Sequence, residues 1–163
     1  MEFNTAFQFV PIDKRRTVSK PRKSGITMVS DYQLGLASLS DLIEVAGHYI
    51  DLFKIATGTS RLFGKTHLQA KIEMLRANDI RPFLGGQFQE YVIHTMGIDA
   101  MPRHLSEAQA LGFDIIEISD NMIQLGQGLR QQLFDMVRDQ GMSPVGEIGD
   151  KRKSSSIMSI IDE

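Results

Sequence analysis

Two charged residues stand where apolar ones belong. Lys54 sits in the run DLFKIA and Glu117 in IIEIS, segments that read as strands buried on both faces. A charge in such surroundings must meet an opposite charge, a metal or a ligand. The two therefore make either a structural salt bridge or a reaction centre, with a lysine facing carboxylates that could hold a divalent ion. Glu147 in VGEIG repeats the pattern. The same kind of residue closes each apolar run: Asp31 after GITMVS, Glu90 in GGQFQE, Ser119 and Asp120 after IIEI, and Lys151 beyond Glu147. Gly85 and Gly86 form either a strand-to-helix turn or a cradle of backbone amides for a phosphate, and Gly58-Thr59-Ser60 has the same two readings. Arg22, in Lys20-Pro21-Arg22, carries the planar fork that suits phosphate or carboxylate.

These residues need a scaffold that gathers strand ends. Short β-rich runs at 25–30, 49–56, 80–86, 113–119 and 142–149 read as strands. Pro82 weakens the third. Helical spacing predicts a helix capped by Ser38 or Ser40 and running to His48, one from Thr66 to Asn78, two near 88–96 and 103–111, and one over 124–140. Gly112 and Gly141 stand where helices end. Strands recurring every ~24–33 residues are βα units, which make a parallel sheet. An open doubly wound sheet and a (β/α)8 barrel both fit, and both bind ligands at the carboxyl ends of the strands.

Composition removes other classes. The 163 residues contain no cysteine, so thiolate metals, disulfides and cysteine nucleophiles are excluded. The net charge of −2 argues against a generally basic nucleic-acid binder. Six basic residues between Lys14 and Lys23 leave 12 basic against 18 acidic residues from position 24 onward. No apolar run approaches the ~18 residues that span a bilayer, and the first residues lack the order of a secretory signal, so a cytoplasmic protein is expected. The four histidines have no metal-ligand spacing, Ser119-Asp120 has no accompanying histidine for a triad, and Gly126-Gln127-Gly128 lies in a helical pattern without the third dinucleotide glycine.

Taken in order, KPR (20–22), GITMVSD (25–31), DLFKIATGTS (51–60), GGQFQE (85–90), GFDIIEISDN (112–121) and GEIGDK (146–151) resemble the phosphosulfolactate synthase family. The resemblance implies a (β/α)8 barrel that adds sulfite to phosphoenolpyruvate with Mg²⁺, on the route to coenzyme M in methanogens; relatives include bacterial proteins and a heat-stress-associated plant branch. Chemical inference laid on these positions makes Lys54 and Glu117 the expected catalytic groups, Lys54 as the acid, and Asp31, Glu117 and Glu147 the expected metal ligands. Arg22, Gly85, Gly86, Glu90, Ser119 and Lys151 would bind substrate. The chain departs from the family pattern at Thr57, Gln87, Asn121 and Asp150. A complete barrel takes about 250 residues, so five of eight strands are expected: an arm at 1–19, a partial barrel at 20–151 and a tail at 152–163. A homo-oligomer or a completing partner is expected to cover the open edges. The alternatives are a non-catalytic remnant or interaction protein, and another barrel lyase or aldolase acting on a small phosphorylated acid.

Overall fold

The computed structural model describes residues 6–11, 13, 15, 17, 19–147 and 149. Five strands form one sheet: β1 (Met28–Asp31), β2 (Leu52–Ile55), β3 (Arg81–Leu84), β4 (Ile115–Ser119) and β5 (Ser143–Glu147). Every neighbouring pair is parallel, in the order β1-β2-β3-β4-β5. Between them run α1 (Leu36–Ala46), α2 (Lys65–Arg76), α3 (Gly86–Met96) with α4 (Met101–Leu111), and α5 (Gln127–Asp139). The unbroken strand order decides between the two architectures. A doubly wound sheet reverses direction once and places helices on both faces. Here each strand follows its predecessor, which is the winding of a (β/α)8 barrel. The fold is α/β, and among the described residues β1 and β5 are the edges of the sheet.

Alternation along the strands gives the two faces different characters. Phe53, Ile55, Leu84, Ile116 and Ile118 share the outer face and join Leu39, Leu68, Leu75, Leu105, Leu133 and Val137 of the helices in one buried apolar cluster. The inner face carries Met28, Ser30, Lys54, Phe83, Ile115, Glu117, Ser119, Val145 and Glu147, aligned across the ladder by register. Phe83 and Ile115 are buried at its centre, whereas Met28 and Val145 on the edge strands are exposed.

One feature departs from the sequence reading, the start of the first helix, while the third strand forms despite its proline. Helix α1 starts at Leu36, with Gly35 as N-cap and no side-chain cap, so Ser38 and Ser40 lie inside the helix. Pro82 sits within β3, and the pairing of β3 with β4 begins only at Phe83. The Pro82 carbonyl still accepts the Asp114 N–H at 3.1 Å. The glycine stops stand as expected: Gly112 and Gly141 have φ of 99° and 74°, conformations that favour a residue without Cβ.

Candidate active site

The ion pair is real and crosses a strand. Lys54 Nζ donates to Glu117 Oε1 at 2.7 Å, with side chains 13% and 5% exposed. Lys54 is on β2 and Glu117 on β4, so the pair spans β3. The diglycine makes this crossing possible. A Cβ on Gly85 would lie 3.3 Å from Lys54 Cε and 3.1 Å from the Ile55 carbonyl oxygen. A Cβ on Gly86 would lie 2.8 Å from Ser119 Cβ and 3.0 Å from Glu117 Cγ. The Lys54 ammonium also lies 5.8 Å from the Phe83 ring centre, within cation–π range.

The amides of Gly85 and Gly86 are not free for a phosphate. Gly86 N–H donates to Glu117 Oε2 at 2.6 Å, and Gly85 N–H donates to the Ile55 carbonyl at 3.0 Å. Glu117 is thus gripped at one oxygen by an ammonium and at the other by a backbone amide, which fixes its plane. The diglycine holds the pair and does not cradle an anion.

Glu90 and Ser119 lie beside this pair and also face inward to the protein. Ser119 Oγ donates to Glu90 Oε1, and Glu90 Oε2 accepts the N–H groups of Met122 and Ile123 at 2.6 and 2.9 Å. Ser119 N–H donates to Gln89 Oε1 at 3.2 Å. Glu90 is 2% exposed; it shapes the loop after β4 and has no open side for substrate. Glu147 shares the inner face and accepts from Asn121 Nδ2 at 2.6 Å.

Two further expectations are corrected. Asp31 is one residue past Ser30, which pairs with Lys54, so Asp31 pairs with Ile55 and points to the outer face. There it meets Lys71 Nζ and accepts the Leu34 and Gln33 amides at 2.8 and 3.1 Å. It is not on the side of Glu117 and cannot share a metal with it. Arg22 lies at the amino ends of the strands, opposite the candidate site. Its Nε donates to both Asp51 oxygens at 3.0 and 3.1 Å and its Nη2 to the His48 carbonyl at 2.9 Å. Asp51 in turn accepts the Thr27 amide at 2.9 Å. Lys20 works alongside, donating to the Gly47 carbonyl at 2.7 Å, and burial holds its ammonium below the usual lysine range. The Lys20-Pro21-Arg22 segment therefore ties the chain to the base of the sheet. Lys151 lies outside the described residues.

Sequence reasoning missed Lys71, fully buried on α2, with its ammonium donating to the Leu34 carbonyl at 2.6 Å and lying 4.8 Å from the Phe63 ring centre. The signal was present: Leu68, Lys71, Ile72 and Leu75 follow the i, i+3, i+4, i+7 stripe of a buried helix face. Among the described residues, no three His, Cys, Asp or Glu side chains converge as a metal cage. Glu117 and Glu147 do share one face, two register positions apart on neighbouring strands, since Glu147 pairs with Ser119. That suits an ion which takes one or two carboxylates and completes its shell with substrate and water.

The fold and site define a barrel-type α/β protein with an ammonium–carboxylate pair at the carboxyl ends of its strands. The comparisons bear on the family. Residues 15–162 match the (2R)-phospho-3-sulfolactate synthase (ComA) family. The chain is 36% identical over 132 residues to the phosphosulfolactate synthase of Methanothermobacter thermautotrophicus, covering 81% of this chain and 50% of that one. It is 28% identical over 158 residues to the Methanocaldococcus jannaschii phosphosulfolactate synthase, covering 97% and 59%. It is 24% identical over 126 residues to Protein HEAT-STRESS-ASSOCIATED 32 of Arabidopsis thaliana, covering 76% and 43%. The chain belongs to the phosphosulfolactate synthase family, and it spans about half the length of the curated relatives it matches. Among the described residues no helix is long and apolar enough to cross a membrane.

Proposed function

We propose that this chain carries the proton-transfer centre of a lyase that adds sulfite to phosphoenolpyruvate, giving phosphosulfolactate for coenzyme M or a related sulfonate. The observation that supports the reading best is the Lys54–Glu117 pair on the inner face of the sheet, locked by the Gly86 amide. The sulfur lone pair of sulfite forms a C–S bond to the methylene carbon. The double-bond electrons move to the neighbouring carbon and delocalise into the carboxylate. In this reading the Lys54 ammonium offsets that charge and then delivers a proton to the same carbon. Glu117 keeps the lysine extended across β3 and so serves as a positioning group. The amine regains its proton from solvent.

Mg²⁺ fits this chemistry. Glu147, with Glu117 two register positions away on the same face, would hold the ion, and bound there it would supply positive charge to the substrate carboxylate. Lys151 is proposed as a phosphate partner. The open edges at β1 and β5 are proposed to be covered in a homo-oligomer or by a completing partner, in the cytoplasm.

The test is sulfite-dependent consumption of phosphoenolpyruvate with Mg²⁺ by the full chain. Lys54→Met is expected to lower the rate by about 100-fold or more, the usual weight of a positioned acid. A folded Lys54→Met protein as active as the parent would overturn the reading.

A further inference from the structure

On the helix side of β3 lies a cleft that the proposed chemistry does not use. It offers about 430 Å³ between α2 and α4, open to solvent at its rim, far more than the ~10–15 Å³ that admits one water. Leu84, Phe88, Ala108 and Phe113 contribute to its apolar wall. Leu84 points to the face of β3 opposite Phe83, so the sheet separates this cleft from the Lys54–Glu117 pair. Two polar groups in its lining have no hydrogen-bond partner among the described residues: Ser60 Oγ, in a residue 7% exposed, and His104 Nε2. Buried polar atoms normally find partners, so both await one. Arg61 and Lys65 stand exposed at the rim, and neither is in an ion pair among the described residues. Helix α2 begins at Lys65 without a side-chain cap, so its first-turn amides add positive potential at the same rim.

We propose that this cleft binds a small amphipathic carboxylate. Its apolar or aromatic body packs on Leu84, Phe88 and Phe113, and its carboxylate lies at the Arg61–Lys65 rim. Ser60 Oγ and His104 Nε2 complete the polar contacts. Apolar walls with a few convergent polar groups are the usual make-up of a small-molecule site. Glu107 at the rim, a like charge, disfavours dicarboxylates and phosphates.

The probe is 4-phenylbutanoate, with 4-phenylbutan-1-ol as its uncharged counterpart, titrated into the isotope-labelled full chain and followed by amide and imidazole NMR shifts. Saturable shifts confined to residues 60–68, 84–88 and 104–113 are expected, with the acid binding about tenfold tighter than the alcohol. Ala108→Phe, which fills the cleft, should abolish the shifts. The exposed double change Arg61→Ala with Lys65→Ala should weaken the acid about tenfold and leave the alcohol unchanged. No saturation in the millimolar range, equal binding of acid and alcohol, unchanged binding by Ala108→Phe, or shifts centred on Lys54 and Glu117 would each overturn the proposal.

Discussion

His104 shows how a single side chain can set a pH dependence. Burial pushes its imidazole down to about 4, against a smaller upward pull from Glu107. The unfolded chain takes up that proton near pH 6.5 and the folded chain only near 4. Stability contributed by the neutral ring is therefore complete above pH 6.5 and declines as pH falls toward 4, by up to about 3 kcal/mol. Urea unfolding across this window should show that decline, and His104→Leu should flatten it. An equally steep decline in the variant would assign the effect to other groups. Gly86 makes a second residue-scale case. Gly86→Ala forces apart Ser119 and Glu117, whose atoms lie 2.8 and 3.0 Å from the new Cβ. The outcome expected is a fall in sulfite-dependent turnover of at least about tenfold, because small misplacements of a catalytic group cost rate steeply. Turnover at the parental level would show that the lysine does not need the Gly86–Glu117 contact.

At the scale of elements, the buried pair Lys71–Asp31 ties α2 to the turn after β1. Lys71 bonds both the Asp31 carboxylate and the Leu34 carbonyl, and Asp31 bonds the two amides that follow it. Removing one partner leaves an uncompensated buried charge, so Lys71→Met is expected to cost about 3–5 kcal/mol. Adding Asp31→Leu to it should recover part of that loss in urea melts; a double variant weaker than the single one would show that the amides, not the ion pair, dominate. The sequence declared these elements well, since the strand spacing, the helix stripes and the glycine stops follow from local rules. It also singled out Lys54 and Glu117, because a charge inside an apolar run is a local anomaly. What it could not give was which face each charge occupies. Asp31 ends β1 and Lys54 is the last residue but one of β2, yet they point to opposite sides because the β1–β2 register pairs Ser30, not Asp31, with Lys54. Arg22 was misread for a similar reason: its partner Asp51 is 29 residues away, and only the folded chain places both below the sheet.

At the scale of the whole molecule, stability and chemistry occupy opposite faces of one sheet. The apolar cluster runs without a break from Leu39 on α1 to Leu133 and Val137 on α5, while the inner face holds the ammonium, the carboxylates and Ser119. A half-barrel built this way could unfold as one unit or separate between β2 and β4, where the ladder from β3 to β4 has the fewest paired residues. The continuous cluster favours one unit, because α2, α4 and the strands share the same buried side chains. Leu39→Ala and Leu133→Ala, set at opposite ends of the strand order, each remove a fully buried side chain and should each cost about 2–5 kcal/mol. If the molecule is one cooperative unit, either change lowers the urea midpoint of the entire transition, and far-ultraviolet dichroism and tyrosine fluorescence from Tyr32, Tyr49 and Tyr91 move together. Two transitions, with Leu39→Ala shifting one and Leu133→Ala the other, would instead divide the chain at the β3–β4 ladder that the Lys54–Glu117 pair bridges.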